Sequence, residues 1–190
     1  MQASGGDGGG GFLHPRGLDA PGVDEVPVLF FIHLASRRVE IGGVVRQANG
    51  LGMSPVARNL SDAEEGFLTG KRYLIHDRDP LFTAEFLEIL KSSGVQSLKL
   101  PPCSPNLNAY AERFVRTIKE SCLERIILFG EGSLRKAIQE LVEHYHRERN
   151  HQGVGNRLIA QEEPQGRSDG AIQCRQRLGG MLNYYYRQAA

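Results

Sequence analysis

HDRDPLF (76–82) and SPNLNAYAERFVRTIKE (104–120) are the two stretches on which the reading of this chain turns. The first closes the run KRYLIHD (71–77), whose apolar centre from Tyr73 to Ile75 is too short for a helix and reads as a strand ending at Asp77. The second places Glu112, 35 residues further on, in a helix expected from about Asn108 to Leu128. Its apolar positions Ala111, Val115, Ile118, Cys122 and Ile126 keep steps of three and four. An acid at a strand end and an acid on a helix can meet over a sheet edge, where open α/β sheets gather their ligands.

Two converging carboxylates are what a magnesium-dependent nuclease needs, because Mg²⁺ takes hard oxygen ligands and keeps several waters. Asn108, Glu112, Arg116 and Lys119 fall on one helical face, so an acid is flanked by cations able to meet phosphate. A surface salt-bridge ladder has the same pattern: Glu112 and Arg116 form an i,i+4 pair worth about 0.2–0.5 kcal/mol. Asp77, Arg78 and Asp79 equally suit a solvated turn. The residues alone leave both alternatives open.

Outward from these stretches the pattern is α/β. VPVLFFIHLAS (26–36) reads as a buried strand and VEIGGVV (39–45) as its hairpin partner. A helix is expected over Ser54 to Phe67, and another opens at Thr83 as N-cap and stops at Gly94. VQSLKLPP (95–102) is a strand broken by its prolines. Ser133 is the expected N-cap of a last helix burying Leu134, Ile138, Leu141 and Tyr145. In the C-terminal stretch only MLNYYY (181–186) reads as packed. GGDGGGG (5–11) offers little to offset its ordering entropy, so residues 1–25 are expected to be low-complexity and disordered.

Composition narrows the classes. With 190 residues, 40% hydrophobic and 24% charged, the chain suits one soluble domain with a core. No apolar run reaches the ~18 residues of a membrane span, so no membrane partner is expected. Three scattered cysteines, Cys103, Cys122 and Cys174, give neither a disulfide framework nor a zinc site, which predicts a reducing, cytoplasmic location. Cys122, on the apolar stripe, reads as core. The net charge of +1 hides a small basic surplus after residue 110.

HDRDPLF, LPPCSPNLNAYAERFVRTIKE (100–120) and HYHRERNHQG (144–153), in that order, resemble the catalytic core of the retroviral-type integrase and bacterial insertion-sequence transposase family. These are DDE recombinases with a ribonuclease H-like fold, and the likeness runs over roughly residues 28–186. It implies a mixed sheet flanked by helices, with an integrase core over 26–160 and a C-terminal extension over 161–190. It also implies Asp77, in D-x-x-x-x-F with Phe82, and Glu112 as catalytic metal ligands for Mg²⁺ or Mn²⁺, and Lys119, with Arg116 and Asn108, on DNA. The implied partners are DNA and further copies of the chain, with no small-molecule cofactor, and the implied chemistry is hydrolysis at an element end followed by strand transfer.

One part of the pattern is out of place. The family's first aspartate stands on the strand before the Val26 hairpin, and the matching place falls near Gly6 or Asp7, inside glycine. The first strand is therefore expected to be degraded or missing, with Asp7 the candidate third acid. A truncated or frameshifted, inactive copy that still binds DNA or dimerises is one consequence. A ribonuclease H-type nuclease is another reading of the same fold, disfavoured by NAYAERF (108–114) and NHQG (150–153).

Overall fold

The computed structural model describes residues 8–13, 28–44, 52–102, 104–160 and 170–187. They form two compact units, Met1–Arg116 and Thr117–Ala190.

The first unit is built on a five-stranded mixed sheet of β1 (Gly8–Leu13), β2 (Val28–His33), β3 (Val39–Val44), β4 (Tyr73–His76) and β5 (Gln96–Lys99). The spatial order is β3-β2-β1-β4-β5. β1 runs antiparallel to β2 and parallel to β4, β2 runs antiparallel to β3, and β4 runs parallel to β5. This is the ribonuclease H-like mixed sheet the sequence led us to expect.

The first strand departs from expectation. Gly8–Leu13 is neither missing nor disordered: it is the central strand, pairing along its whole length with β2 from Gly8 opposite His33 to Leu13 opposite Val28. Strand pairing uses backbone N–H and C=O groups, which glycine supplies as fully as any residue. Two flanking strands hold these groups, so the cost of glycine in a strand is met by neighbours rather than by side chains of its own. The remainder of residues 1–25 lies outside the described residues.

β2 is buried on both faces, as a continuous apolar run should be. Its alternation assigns the layers. Leu29 and Phe31 join a core with Met53, Ala57 and Leu60 of α1 (Met53–Leu60) and Phe86 and Leu90 of α2 (Ala84–Ser92). Phe30, on the other face, meets Phe114 of α3 (Ala109–Ile118) with ring centroids 4.8 Å apart. Each such fully buried side chain contributes about 1.5–3 kcal/mol. Thr83 caps α2 as expected, its hydroxyl accepting from the Phe86 N–H at 3.2 Å. α1 stops at Leu60 rather than Phe67, because Asp62 Oδ1 accepts from the Glu64 and Glu65 N–H groups at 3.0 and 3.1 Å and turns the chain.

The second unit holds a π-helical turn (Lys119–Leu123), α4 (Gly130–Arg147) and the hairpin of β6 (Ile172–Arg177) and β7 (Leu182–Arg187). The single helix expected to Leu128 is thus an α-helix to Ile118 followed by a π turn. α4 begins before Ser133, whose hydroxyl donates to the Gly130 carbonyl inside the first turn instead of capping it. The core positions are as expected: Leu134, Ile138, Leu141 and Tyr145 are buried, with Ala137.

A candidate metal site at the end of β4

Asp77 follows the last residue of β4, and the loop after it is wound by its own acids. Asp77 Oδ1 accepts from the Asp79 N–H at 3.0 Å, and Asp79 Oδ1 accepts from the Leu81 N–H at 2.9 Å. These side-chain bonds stand in for sheet pairing where the strand ends. They account for the acids at 77 and 79 without requiring that both face solvent.

His76 anchors this loop from below. It is 1% exposed, with Nδ1 2.7 Å from the Asp77 carbonyl oxygen and Nε2 2.8 Å from Ser97 Oγ on β5. A carbonyl only accepts, so Nδ1 carries the proton and Nε2 accepts from the serine hydroxyl. Burial lowers the pKa of His76 despite the bond to Asp77, which keeps the ring neutral. Phe82 returns to pack on the imidazole at 4.5 Å and on Phe86 at 5.7 Å. The D-x-x-x-x-F spacing therefore has a structural cause: the phenylalanine closes the loop over the histidine that holds the Asp77 backbone.

Across from Asp77, α3 presents Glu112 and the turn before it presents Asn108. Asp77, Asn108 and Glu112 line one recess of about 240 Å³, together with Arg78, Ser104, Leu100, Pro101 and Pro102. Asp77 is half-buried, Asn108 buried and Glu112 exposed. Arg78 is held aside by its Nε, which donates to the Leu100 carbonyl at 3.0 Å. The prolines that end the β5 segment thus wall the recess, and the NLNAYAE stretch turns an amide and a carboxylate into it. Arg116 lies exposed one helical turn beyond Glu112, outside this lining, and Lys119 opens the π turn of the second unit.

The donors fit a hard divalent cation: two carboxylates, an amide oxygen and a hydroxyl, all oxygen. Among the described residues no group of three or more His, Cys, Asp or Glu gathers as a metal site. Asp7 lies outside the described residues. The sheet register bears on a third ligand. β1 pairs with β4 with Gly8 opposite Leu74 and Gly9 opposite Ile75, and continuing that register sets Gly11 level with Asp77.

Sequence reasoning missed the other cluster of polar chemistry. Glu148, just after α4, has a side chain only 1% exposed. It receives Arg177 Nη2 and Nε at 2.7 and 2.9 Å, Arg175 Nη1 at 3.3 Å and lies 3.0 Å from His144 Nδ1. Burial pushes its pKa up, but the bonds from Arg177 and His144, the Arg177 charge and the Arg175 bond outweigh it and hold the group at about 2. His151 Nε2 donates to the Tyr145 carbonyl at 2.7 Å, and its ring packs on Tyr145 at 4.4 Å. HYHRERNHQG thus stabilises the end of a helix, with Glu148 as its buried acid.

The family described as Integrase core domain matches residues 93–158, a stretch that contains Ser104, Asn108 and Glu112. The catalytic core domain of BIV integrase has 16% identity and a TM-score of 0.51, over 80% of this chain and 90% of that one. The HTLV-2 integrase catalytic core domain, solved in complex with magnesium in a dimeric form, has 12% identity and a TM-score of 0.49, over 78% and 90%. No curated protein matches the chain. Among the described residues no helix is long and apolar enough to cross a membrane. Residues 93–158 are thus similar to the integrase core domain family, and the mixed sheet has the fold of an integrase catalytic core.

Proposed function

We propose that this chain is the catalytic-core part of a DNA integration or transposition protein, acting on DNA in the cytoplasm together with further copies of itself. The observation that carries this reading is the convergence of Asp77 and Glu112 on one recess at the end of β4. In it, Asp77 and Glu112 would hold Mg²⁺ or Mn²⁺, with Asn108 and Ser104 able to supply neutral oxygens. A bound divalent ion would stabilise charge on the attacking and leaving oxygens of a phosphodiester. His76 and Phe82 keep the Asp77 backbone fixed, and Arg116 and Lys119 attract the phosphate backbone along the helix and the turn that follow. The chemistry would be cleavage at an element end to leave a 3′-hydroxyl, then transfer of that strand into target DNA.

A second reading is favoured by the glycine level with Asp77: a copy that keeps the fold and binds DNA without cutting it. One experiment separates the two. The full chain is incubated with a labelled duplex carrying the DNA sequence that flanks its own coding region, with Mg²⁺, Mn²⁺ or EDTA. Metal-dependent nicking that falls at least ~100-fold in Asp77→Asn and Glu112→Gln supports the enzyme. Salt-sensitive binding without nicking supports the second reading. Neither binding nor nicking overturns both.

A further inference from the structure

The β2–β3 hairpin ends in a turn that puts an arginine where a glycine belongs. Arg37 has a φ of 65°, in the left-handed region that few residues other than glycine and asparagine occupy, and hairpin turns ordinarily fill such a position with one of those two. Backbone bonds hold the turn. The Arg37 N–H donates to the His33 carbonyl at 2.8 Å, the His33 N–H to the Arg38 carbonyl at 2.8 Å, and the Arg38 N–H to Ser36 Oγ at 3.3 Å. A strained residue persists where its surroundings fix it, and its side chain is then a guide to what it does. The Arg37 guanidinium lies over the Tyr110 ring, 3.5 Å from its centroid, and its Nη1 is buried with no hydrogen-bond partner among the described residues. The negative face of the ring is what compensates the cation there.

Tyr110 stands in the first turn of α3, midway between Asn108 and Glu112. Residues four apart share a helical face and the one midway lies behind it, so Asn108 and Glu112 line the recess while Tyr110 does not. Ser104, before the short helical turn Pro105–Asn108, makes no side-chain capping bond, so packing must help hold this end of the helix. Ala111 is buried, Phe114 meets Phe30 a turn later, and Arg37 covers Tyr110. We infer that Arg37 is a positioning residue for the site: clamped on Tyr110 from behind, it fixes the first turn of α3 and so sets Glu112 against Asp77 across the recess. The inference rests on the metal-binding reading proposed above. Arg37 lies outside the recess lining, so it acts only through the helix.

The test is a calorimetric Mn²⁺ titration of the full chain beside hydrogen exchange of the metal-free protein, for wild type, Arg37→Gly, Tyr110→Leu, Tyr110→Phe and Asp77→Asn. Glycine accepts the left-handed backbone without strain, so Arg37→Gly removes the side chain while leaving the turn able to form, and the urea midpoint is expected to stay near wild type. Should it fold poorly, Tyr110→Leu removes the other half of the clamp and carries the test. Both are expected to weaken Mn²⁺ binding about tenfold and to speed exchange over Asn108 to Arg113 about tenfold, with exchange in β4 unchanged. Tyr110→Phe keeps the ring face and should behave as wild type. A merely structural contact would lower the urea midpoint and leave the Mn²⁺ affinity of the folded protein alone. Wild-type Mn²⁺ affinity in folded Arg37→Gly and Tyr110→Leu, with binding still lost in Asp77→Asn, overturns this inference and spares the metal site. Unchanged exchange over Asn108 to Arg113 overturns it as well, since the start of α3 would then not depend on the clamp. Wild type that binds no Mn²⁺ overturns the metal reading, and the positioning role with it.

Discussion

Asp77 and Glu112, 35 residues apart in sequence, line a single recess, the first on the loop that leaves β4 and the second on the first turns of α3. Two carboxylates are few for a divalent-cation site, and the sheet itself indicates where another would stand. Neighbours in register on parallel strands share a face, so a side chain at position 11 would lie beside Asp77.

Gly11→Asp should therefore create a stronger cation site. Mn²⁺ affinity, measured by calorimetric titration, is expected to rise on the order of tenfold or more. The gain should vanish in the double variant Gly11→Asp with Asp77→Asn, since the new acid acts only with its neighbour. If Gly11→Asp does not strengthen binding, the register argument is wrong.

His76→Ala should destabilise the first unit and slacken the site together. The substitution removes a ring packed on Phe82 and leaves the Asp77 carbonyl and Ser97 hydroxyl without the imidazole. Loss of a buried side chain with its hydrogen bonds costs about 2–5 kcal/mol, readable as a lower urea midpoint at unchanged slope. Ser97→Ala removes a single partner and should cost about 1 kcal/mol. Equal costs for the two would mean that the ring is not the anchor.

Much of this was legible in the sequence because side chains wrote it. The alternation in VLFFIH, the Thr83 cap, and the acids at 77 and 112 all report their own positions. β1 was not legible, since a strand of glycines has no alternation and is specified by the partners on either side of it. The π turn at Lys119–Leu123 was hidden for a different reason: the apolar stripe runs through it unbroken, and a one-residue change in hydrogen-bond spacing leaves no mark in composition. Glu148 looked like one charge among many. Its burial depends on arginines 27 and 29 residues away on a hairpin that local patterning does not bring to α4.

That ion cluster predicts a specific asymmetry. Arg177→Ala leaves Glu148 buried with its strongest partner gone and should cost about 3–5 kcal/mol. Replacing both, Arg177→Met with Glu148→Leu, should recover much of the loss, because an apolar pair of similar volume carries no stranded charge. Hydrogen exchange in β6 and β7 should accelerate in the single variant and return toward wild type in the double. If the double variant is as unstable as the single, packing rather than charge holds the hairpin.

Acid should weaken the second unit in two stages, set by groups whose pKa values both fall on folding but which carry opposite charge. His151 is lowered first by burial, against the hydrogen bond to Tyr145 that favours its charged form. The unfolded chain thus takes up that proton more readily, so the stability is whole above about pH 6.5 and declines as pH falls below it. Glu148 moves from 4.5 to about 2, so its contribution is whole above 4.5 and is lost as pH falls from there toward 2. Urea denaturation at intervals from pH 8 to pH 3 should show the upper stage removed in His151→Asn, whose amide can still donate to the Tyr145 carbonyl. Glu148→Gln should flatten the lower stage while lowering stability at every pH above it. Were the stages exchanged between the two variants, the protonation states assigned to the end of α4 would have to be reversed.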